Sequence, residues 1–210
     1  MGRVVLPQLM NTIEKAIESK ETLPINVYGT RGYGKSHIIA AVVVLLMKKK
    51  GGLPVLFLPQ VRDMADSDPL PYLRAAALLT FASASDAQIM SDIEDCDSLS
   101  ALTAVISKHQ FILVADQLNS LKEDSRIADD KKKLVRNLLD TLGGGRVYVR
   151  GFSANNQTAQ VFAVTQRSQI DIKWFGGFDV VPISIFIFSK SNLRCPLFRL
   201  SHAVYMYTCY

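Results

Sequence analysis

The chain has 210 residues, room for one α/β domain with a sizeable core, or for one domain and a tail. With 49% hydrophobic residues it is globular, which excludes a disordered chain. The formal charge of +5 is weak support for a nucleic-acid partner: Lys190, Arg194 and Arg199 supply +3 in residues 180–210, which hold no Asp or Glu, leaving +2 on the first 179 residues. The cysteines, Cys96, Cys195 and Cys209, have neither CxxC spacing nor a matched histidine pair. Neither a zinc site nor a disulfide framework is indicated, which fits a reducing compartment. The N-terminus carries no apolar run of the signal-peptide kind, and Leu6 stands where a myristoylation signal requires Ser or Thr. The longest apolar run, Ile38 to Met47, is about half a bilayer span. The expectation is an intracellular protein with no membrane span.

In chain order, residues 7–20 place Leu9, Ile13, Ala16 and Ile17 at helical intervals, predicting an amphipathic helix. Pro24 to Tyr28 suits a buried strand, and a glycine-rich turn follows. Lys35 to Lys49 is apolar nearly all round, which predicts a core helix stopped at Gly51-Gly52. Pro54 to Leu58 reads as a second strand and Pro69 to Ala82 as a helix opening at a proline. Residues 83–98 read as a loop or weak helix, and Leu99 to Ser107 as a short helix. Phe111 to Ala115 is the cleanest buried strand, and residues 119–130 a surface loop. Asp130 to Leu142 predicts a helix with Leu134, Leu138 and Leu139 inward and Lys131, Lys132 and Arg136 outward, ended at Gly143-Gly144-Gly145. Arg146 to Phe152 completes the set as a strand. Alternating strands and helices with near-continuous apolar strands predict an α/β fold, a mainly parallel sheet with helices on both faces in three layers, α-β-α.

The segment Gly29-Thr30-Arg31-Gly32-Tyr33-Gly34-Lys35-Ser36 matches the P-loop pattern G-x-x-x-x-G-K-[ST] at every fixed position. Each residue type has a physical reason. Glycines let the loop curl so that successive N–H groups line an anion nest. Lys35 reaches the β- and γ-phosphates as a point charge, and the Ser36 hydroxyl ligates Mg²⁺. The helix that follows turns its positive dipole end toward the phosphates, with His37 on its first turn, where packing is commoner than reaction. No N-K-x-D base-reading motif is present, so ATP is the expected nucleotide rather than GTP.

Asp116 follows the apolar run Phe111 to Ala115, the pattern of a Walker B strand whose carboxylate sits near Mg²⁺, acting through a water or through Ser36. Gln117 follows where many ATPases have Glu. Gln cannot take a proton but can orient water, so hydrolysis is slow, or another residue is the base, or Gln suffices as a positioner. Ser153 and Asn155, after the strand Arg146–Phe152, are candidates to sense the γ-phosphate. Arg31, Arg146 and Arg150 could stabilise charge, although surface arginines are the commoner reading. A rival reading makes Lys48–Lys50 and Lys131–Lys133 a nucleic-acid-binding surface, against the default of solvated charge at a helix end and on a helix face.

RGYGKSH at the P-loop, ADQLNSL at Walker B, SANNQTA after the fourth strand and KWFGGFD at 173–179 together resemble the NTPase domain of Crinkler effectors, itself similar to retrotransposon-hot-spot proteins. Asp116, Gln117 and Asn119 with Trp174 to Phe178 carry the specificity of that resemblance. It implies an AAA+/STAND-like ATPase domain over residues 1–179, with Gln117 a family feature, and a secreted effector that often reaches host nuclei. Crinklers usually open with a ubiquitin-like region, whereas this chain starts close to the P-loop strand. Residues 180–210 break sharply in composition, and we expect a truncated or read-through product there; the counter-reading is a fifth strand beside the P-loop strand.

Overall fold

In the strand ILVA at 112–115, Ile112 and Val114 pack into one apolar core while Leu113 and Ala115 pack into another. Alternate side chains of a strand point to opposite faces, so this segment lies in a sheet buried on both sides. The computed structural model describes residues 2–19, 24–29, 34–49, 51–82, 87–123, 126–153 and 170–174. In order these form α1 (Gly2–Ser19), β1 (Ile25–Gly29), α2 (Lys35–Lys48), β2 (Val55–Leu58), α3 (Val61–Asp66), α4 (Pro69–Phe81), α5 (Ala87–Glu94), α6 (Leu99–Ser107), β3 (Ile112–Ala115), α7 (Ser120–Glu123), α8 (Asp129–Gly143), β4 (Tyr148–Ser153) and β5 (Ile170–Trp174).

The strands make one sheet in the order β2-β3-β4-β1-β5, every described pairing parallel. The chain is therefore α/β, compatible with a three-layer fold. One core joins Leu9 and Ile13 of α1 and Ile39, Val42 and Leu46 of α2 to Ile25, Val27, Val114 and Val149. The other joins the helices between β2 and β4 to Leu56, Leu58, Leu113 and Tyr148. β1 sends its chain to α2 on one face of the sheet, and β3 sends its chain to α8 on the other.

Helix starts follow local chemistry. Asp68 caps α4, its Oδ1 accepting from Leu70 N at 3.0 Å, with Pro69 at the first helical position. Ser98 caps α6 by accepting from Ala101 N at 3.3 Å.

Several expectations need correction. The helix at 35–48 is not wholly buried: α2 packs on the sheet and on α1, leaving Val44, Leu45 and Met47 exposed on its remaining side. In α8 the inward stripe is Lys132, Val135, Leu138, Leu139 and Leu142, so Leu134 is outward (47% exposed) and Lys132 inward. Lys132 is accommodated because its stem lies against the core while its Nζ reaches Asp129 Oδ1 at 3.0 Å. Residues 61–66, given no element by pattern, form α3. Residues 120–123 form a helical turn with Leu121 buried rather than a surface loop. The strand beside β1 opposite β4 is β5, residues 170–174, which precedes the apolar tail. Residues 180–210 lie outside the described residues.

Candidate functional site

Asp116 follows the last residue of β3 and is buried at 2% exposure. Its position is held from several sides. Its N–H donates to Leu58 O at 3.0 Å, and its Oδ1 accepts from Gln117 N at 2.8 Å. Gln117 then takes a left-handed conformation, φ 64°, that few non-glycine residues adopt. This turns the chain so that Leu118 N donates to Gly151 O of β4 at 3.0 Å, while Ser120 Oγ closes the turn on Gln117 O at 2.7 Å.

Lys35 opens α2 and is buried at 3% exposure. Gly34 before it has φ 77°, a conformation that glycine adopts without steric cost, and no side chain caps the helix. Burial pulls the Lys35 ammonium below its ordinary pKa, and the Asp116 carboxylate opposes that shift electrostatically. The two charges, far apart in sequence, thus stand at the same end of a parallel sheet and influence one another electrostatically. Ser36 and His37 are exposed on the first turn of α2, so His37 does not pack as expected. That turn has backbone N–H groups with no intrahelical acceptor, and the dipole adds to their pull on an anion.

Between these charges lies Gly151, a residue that the motif search did not single out. In register, Ala115 pairs with Arg150 and Val27 with Gly151, so Asp116 stands beside Gly151 with β1 beyond it. A Cβ built on Gly151 would collide with Asp116 Oδ1, and would lie 2.6 Å from Ile39 Cδ1 and 3.1 Å from Asp116 Cγ. The signal available in the sequence was a glycine inside a strand, which marks close approach by another group.

Of the other residues singled out, Gly29 ends β1 and pairs in register with Ser153, so both stand at the carboxyl edge of the sheet. Ser153 belongs to the strand and not to the turn after it. Thr30, Arg31, Gly32, Tyr33 and Asn155 lie outside the described residues, as does Lys50. The remaining arginines do not fit the expectation of surface charge. Arg146, before the start of β4 and so at the opposite edge, donates to the carbonyls of Ser107 (2.6 Å), His109 (3.2 Å), Leu142 (3.3 Å) and Gly144 (3.1 Å). Its guanidinium also covers the Phe111 ring at 4.6 Å. Arg150 lies over the Tyr148 ring at 4.5 Å and meets Asp140 at 3.4 Å; burial pushes the Tyr148 phenol well above its ordinary range. Both arginines are structural in this arrangement. The lysine runs are not uniform charged faces either, since Lys49 pairs with Glu14 at 3.1 Å, Lys131 donates to Asp66 O at 3.0 Å and Lys132 is buried.

The donor set fits Mg²⁺ of the phosphate-bridging kind. Such ions use one or two carboxylates, a hydroxyl and substrate oxygens rather than an all-protein cage. Asp116 is one buried carboxylate whose Oδ1 lies against Gly151, and Ser36 offers an exposed hydroxyl. Among the described residues no cluster of three or more His, Cys, Asp or Glu side chains could hold a metal, and no helix is long and apolar enough to cross a membrane. A cavity of about 430 Å³ lies between α3, the start of α4 and α8, lined by Met64, Ala65, Asp68, Lys131, Leu134 and Val135. No family model matches the sequence, and no curated protein is significantly similar to it.

Proposed function

We propose that the chain binds ATP with Mg²⁺ at the carboxyl edge of the sheet and hydrolyses it, as a P-loop NTPase of the Crinkler type. The observation that carries this reading is that two opposite charges, Lys35 and Asp116, are both buried at the carboxyl edge of the sheet and influence one another electrostatically, the first inside a complete G-x-x-x-x-G-K-[ST] motif. The strand order supports it, because β4 lies between the P-loop strand β1 and the Walker B candidate β3, the arrangement of P-loop ATPases with an added strand. In that arrangement a polar residue at or just after the end of β4 faces the γ-phosphate, the role expected of Ser153 or Asn155.

In this reading the residues Gly29 to His37 wrap the phosphates with backbone N–H groups and the dipole of α2. Lys35 neutralises charge on the β- and γ-oxygens. Its lowered pKa reflects the desolvation that a polyanion would offset. Ser36 and Asp116 would hold Mg²⁺, which when bound neutralises charge that develops on the phosphoryl group. Gln117 or Asn155 orients water in line with the γ-phosphate. ATP and free Mg²⁺ at working concentrations imply an intracellular site of action.

A second reading, a nucleotide-dependent switch that barely hydrolyses ATP, is favoured by one observation. The residue after Asp116 is Gln, which cannot accept a proton. Calorimetric titration tests the first claim: Lys35→Ala should lower ATP affinity by about a hundredfold or more with an unchanged circular dichroism spectrum, as expected for losing about 3 kcal/mol of charge-assisted contacts. Undiminished affinity in that variant overturns the proposal. Single-turnover phosphate release then separates enzyme from switch.

A further inference from the structure

We infer that Gly151 is a positioning residue: its missing side chain is what lets the Asp116 carboxylate lie across β4 toward Lys35. The geometry is direct. Asp116 ends β3, Lys35 follows β1, and β4 separates the two strands. A carboxylate is short, so to act between β3 and β1 it must occupy the space above the intervening strand. At that register β4 presents Gly151, and any Cβ there would overlap Asp116 Oδ1 and press on Ile39 Cδ1 at 2.6 Å. Ile39 belongs to the first turns of α2 and is fully buried, so it cannot swing away into solvent. The backbone of Gly151 also takes part, its carbonyl accepting from Leu118 N at 3.0 Å, which fixes the turn that follows Asp116. Gly151 thus sets both where the acidic side chain points and where the chain goes next.

The functional half of this inference rests on the ATP and Mg²⁺ reading above; the geometric half does not. Two measurements on the full chain separate them. The first is a double-mutant cycle on melting temperature without nucleotide, using Gly151→Ala, Asp116→Ala and the pair. Because the added methyl meets the carboxylate, Gly151→Ala should lower the melting temperature in the native background and by less than half as much beside Asp116→Ala. An equal loss in both backgrounds would mean that Ile39 alone opposes the methyl, and the inference fails. Gly151→Ala combined with Ile39→Val, which removes Cδ1, keeps the question open to test should the single variant not fold. The second measurement is binding of a fluorescent ATP analogue with Mg²⁺ and with EDTA. Displacing the carboxylate should weaken Mg²⁺-dependent binding by about tenfold or more, in line with losses on disturbing groups that orient metal ligands. Binding in EDTA should change by less than about threefold, the scatter expected when a contact outside the metal shell is altered. Retention of the full Mg²⁺ enhancement in the variant overturns the inference. Failure of the unaltered protein to bind the analogue under either condition overturns the nucleotide reading and the metal role of Gly151, while the temperature cycle still decides whether Gly151 places Asp116.

Discussion

A lysine buried before any ligand arrives is a thermodynamic liability whose sign can be measured. Desolvation lowers the pKa of Lys35 from 10.5, with Asp116 opposing the shift only in part. The folded state therefore holds fewer protons than the unfolded chain in the window between the lowered value and 10.5. Stability rises with pH wherever the unfolded state binds more protons, so this residue contributes an increase in stability as pH climbs through that window. Bound triphosphate would stabilise the charged form and return the pKa toward its ordinary value, which flattens the slope. Melting temperature followed from about pH 8 to about pH 10, with and without ATP, should show a rise that Lys35→Gln removes and that ATP suppresses. A slope unaffected by either change contradicts the assignment of Lys35 to the phosphate site. At this scale the sequence was most legible where a residue type is tied to one chemistry. Lys35 and Asp116 both stand at the carboxyl edge of the sheet, and both are buried. Gly151 and the left-handed Gln117 were not legible, because each depends on where a second strand runs rather than on its own neighbours in sequence.

For whole elements, period and composition identified every strand from β1 to β4 within two residues and most helices. Each miss has its own physical cause. The inward stripe of α8 was assigned from leucines at 134, 138 and 139, yet a helix face is chosen by what it packs against, and Lys132 reaches the core with its aliphatic stem while its ammonium meets Asp129. The short helices α3 and α7 have too few residues to establish a period, and β5 contains Asp171 and Lys173, which break the apolar pattern used to find the buried strands. The α8 correction makes a sharp prediction from one substitution at two sites. Leu139→Ala removes a side chain that is 2% exposed and should cost about 2–5 kcal/mol. Leu134→Ala removes one that is 47% exposed and should cost less than about 1 kcal/mol. Urea unfolding of both variants decides, and similar losses would restore the stripe inferred from sequence.

Taken over the whole molecule, β5 changes where the chain can be cut. Strand β1 lies between β4 and β5, paired in register from Ile25–Val149 to Gly29–Ser153 on one side and from Ile25–Ile170 to Gly29–Trp174 on the other. Both pairings reach Gly29, the residue that hands the chain to the proposed phosphate loop. Every described element lies before residue 175, so deletion of residues 180–210 leaves all of them in the chain. It also removes Ile183, Ile185, Phe186, Ile187 and Phe188, an apolar cluster with no acidic neighbour that favours aggregation when unpaired. A cut after residue 165 is different, because it removes β5 and turns β1 into an edge strand with unpaired backbone groups. The fragment 1–179 should melt within about 3 °C of the full chain, a shift worth no more than ~1 kcal/mol for a chain of this size, and should remain more soluble. The fragment 1–165 should melt at least about 5 °C lower, and its ATP-induced stabilisation should disappear because the strand that positions Gly29 has lost one of its two neighbours. Thermal melts of the three proteins with and without ATP and Mg²⁺ provide the comparison. A loss of the ATP-induced shift in the fragment 1–179 would assign the tail to the fold and overturn the expectation that the sequence break at 180 ends the nucleotide-binding unit.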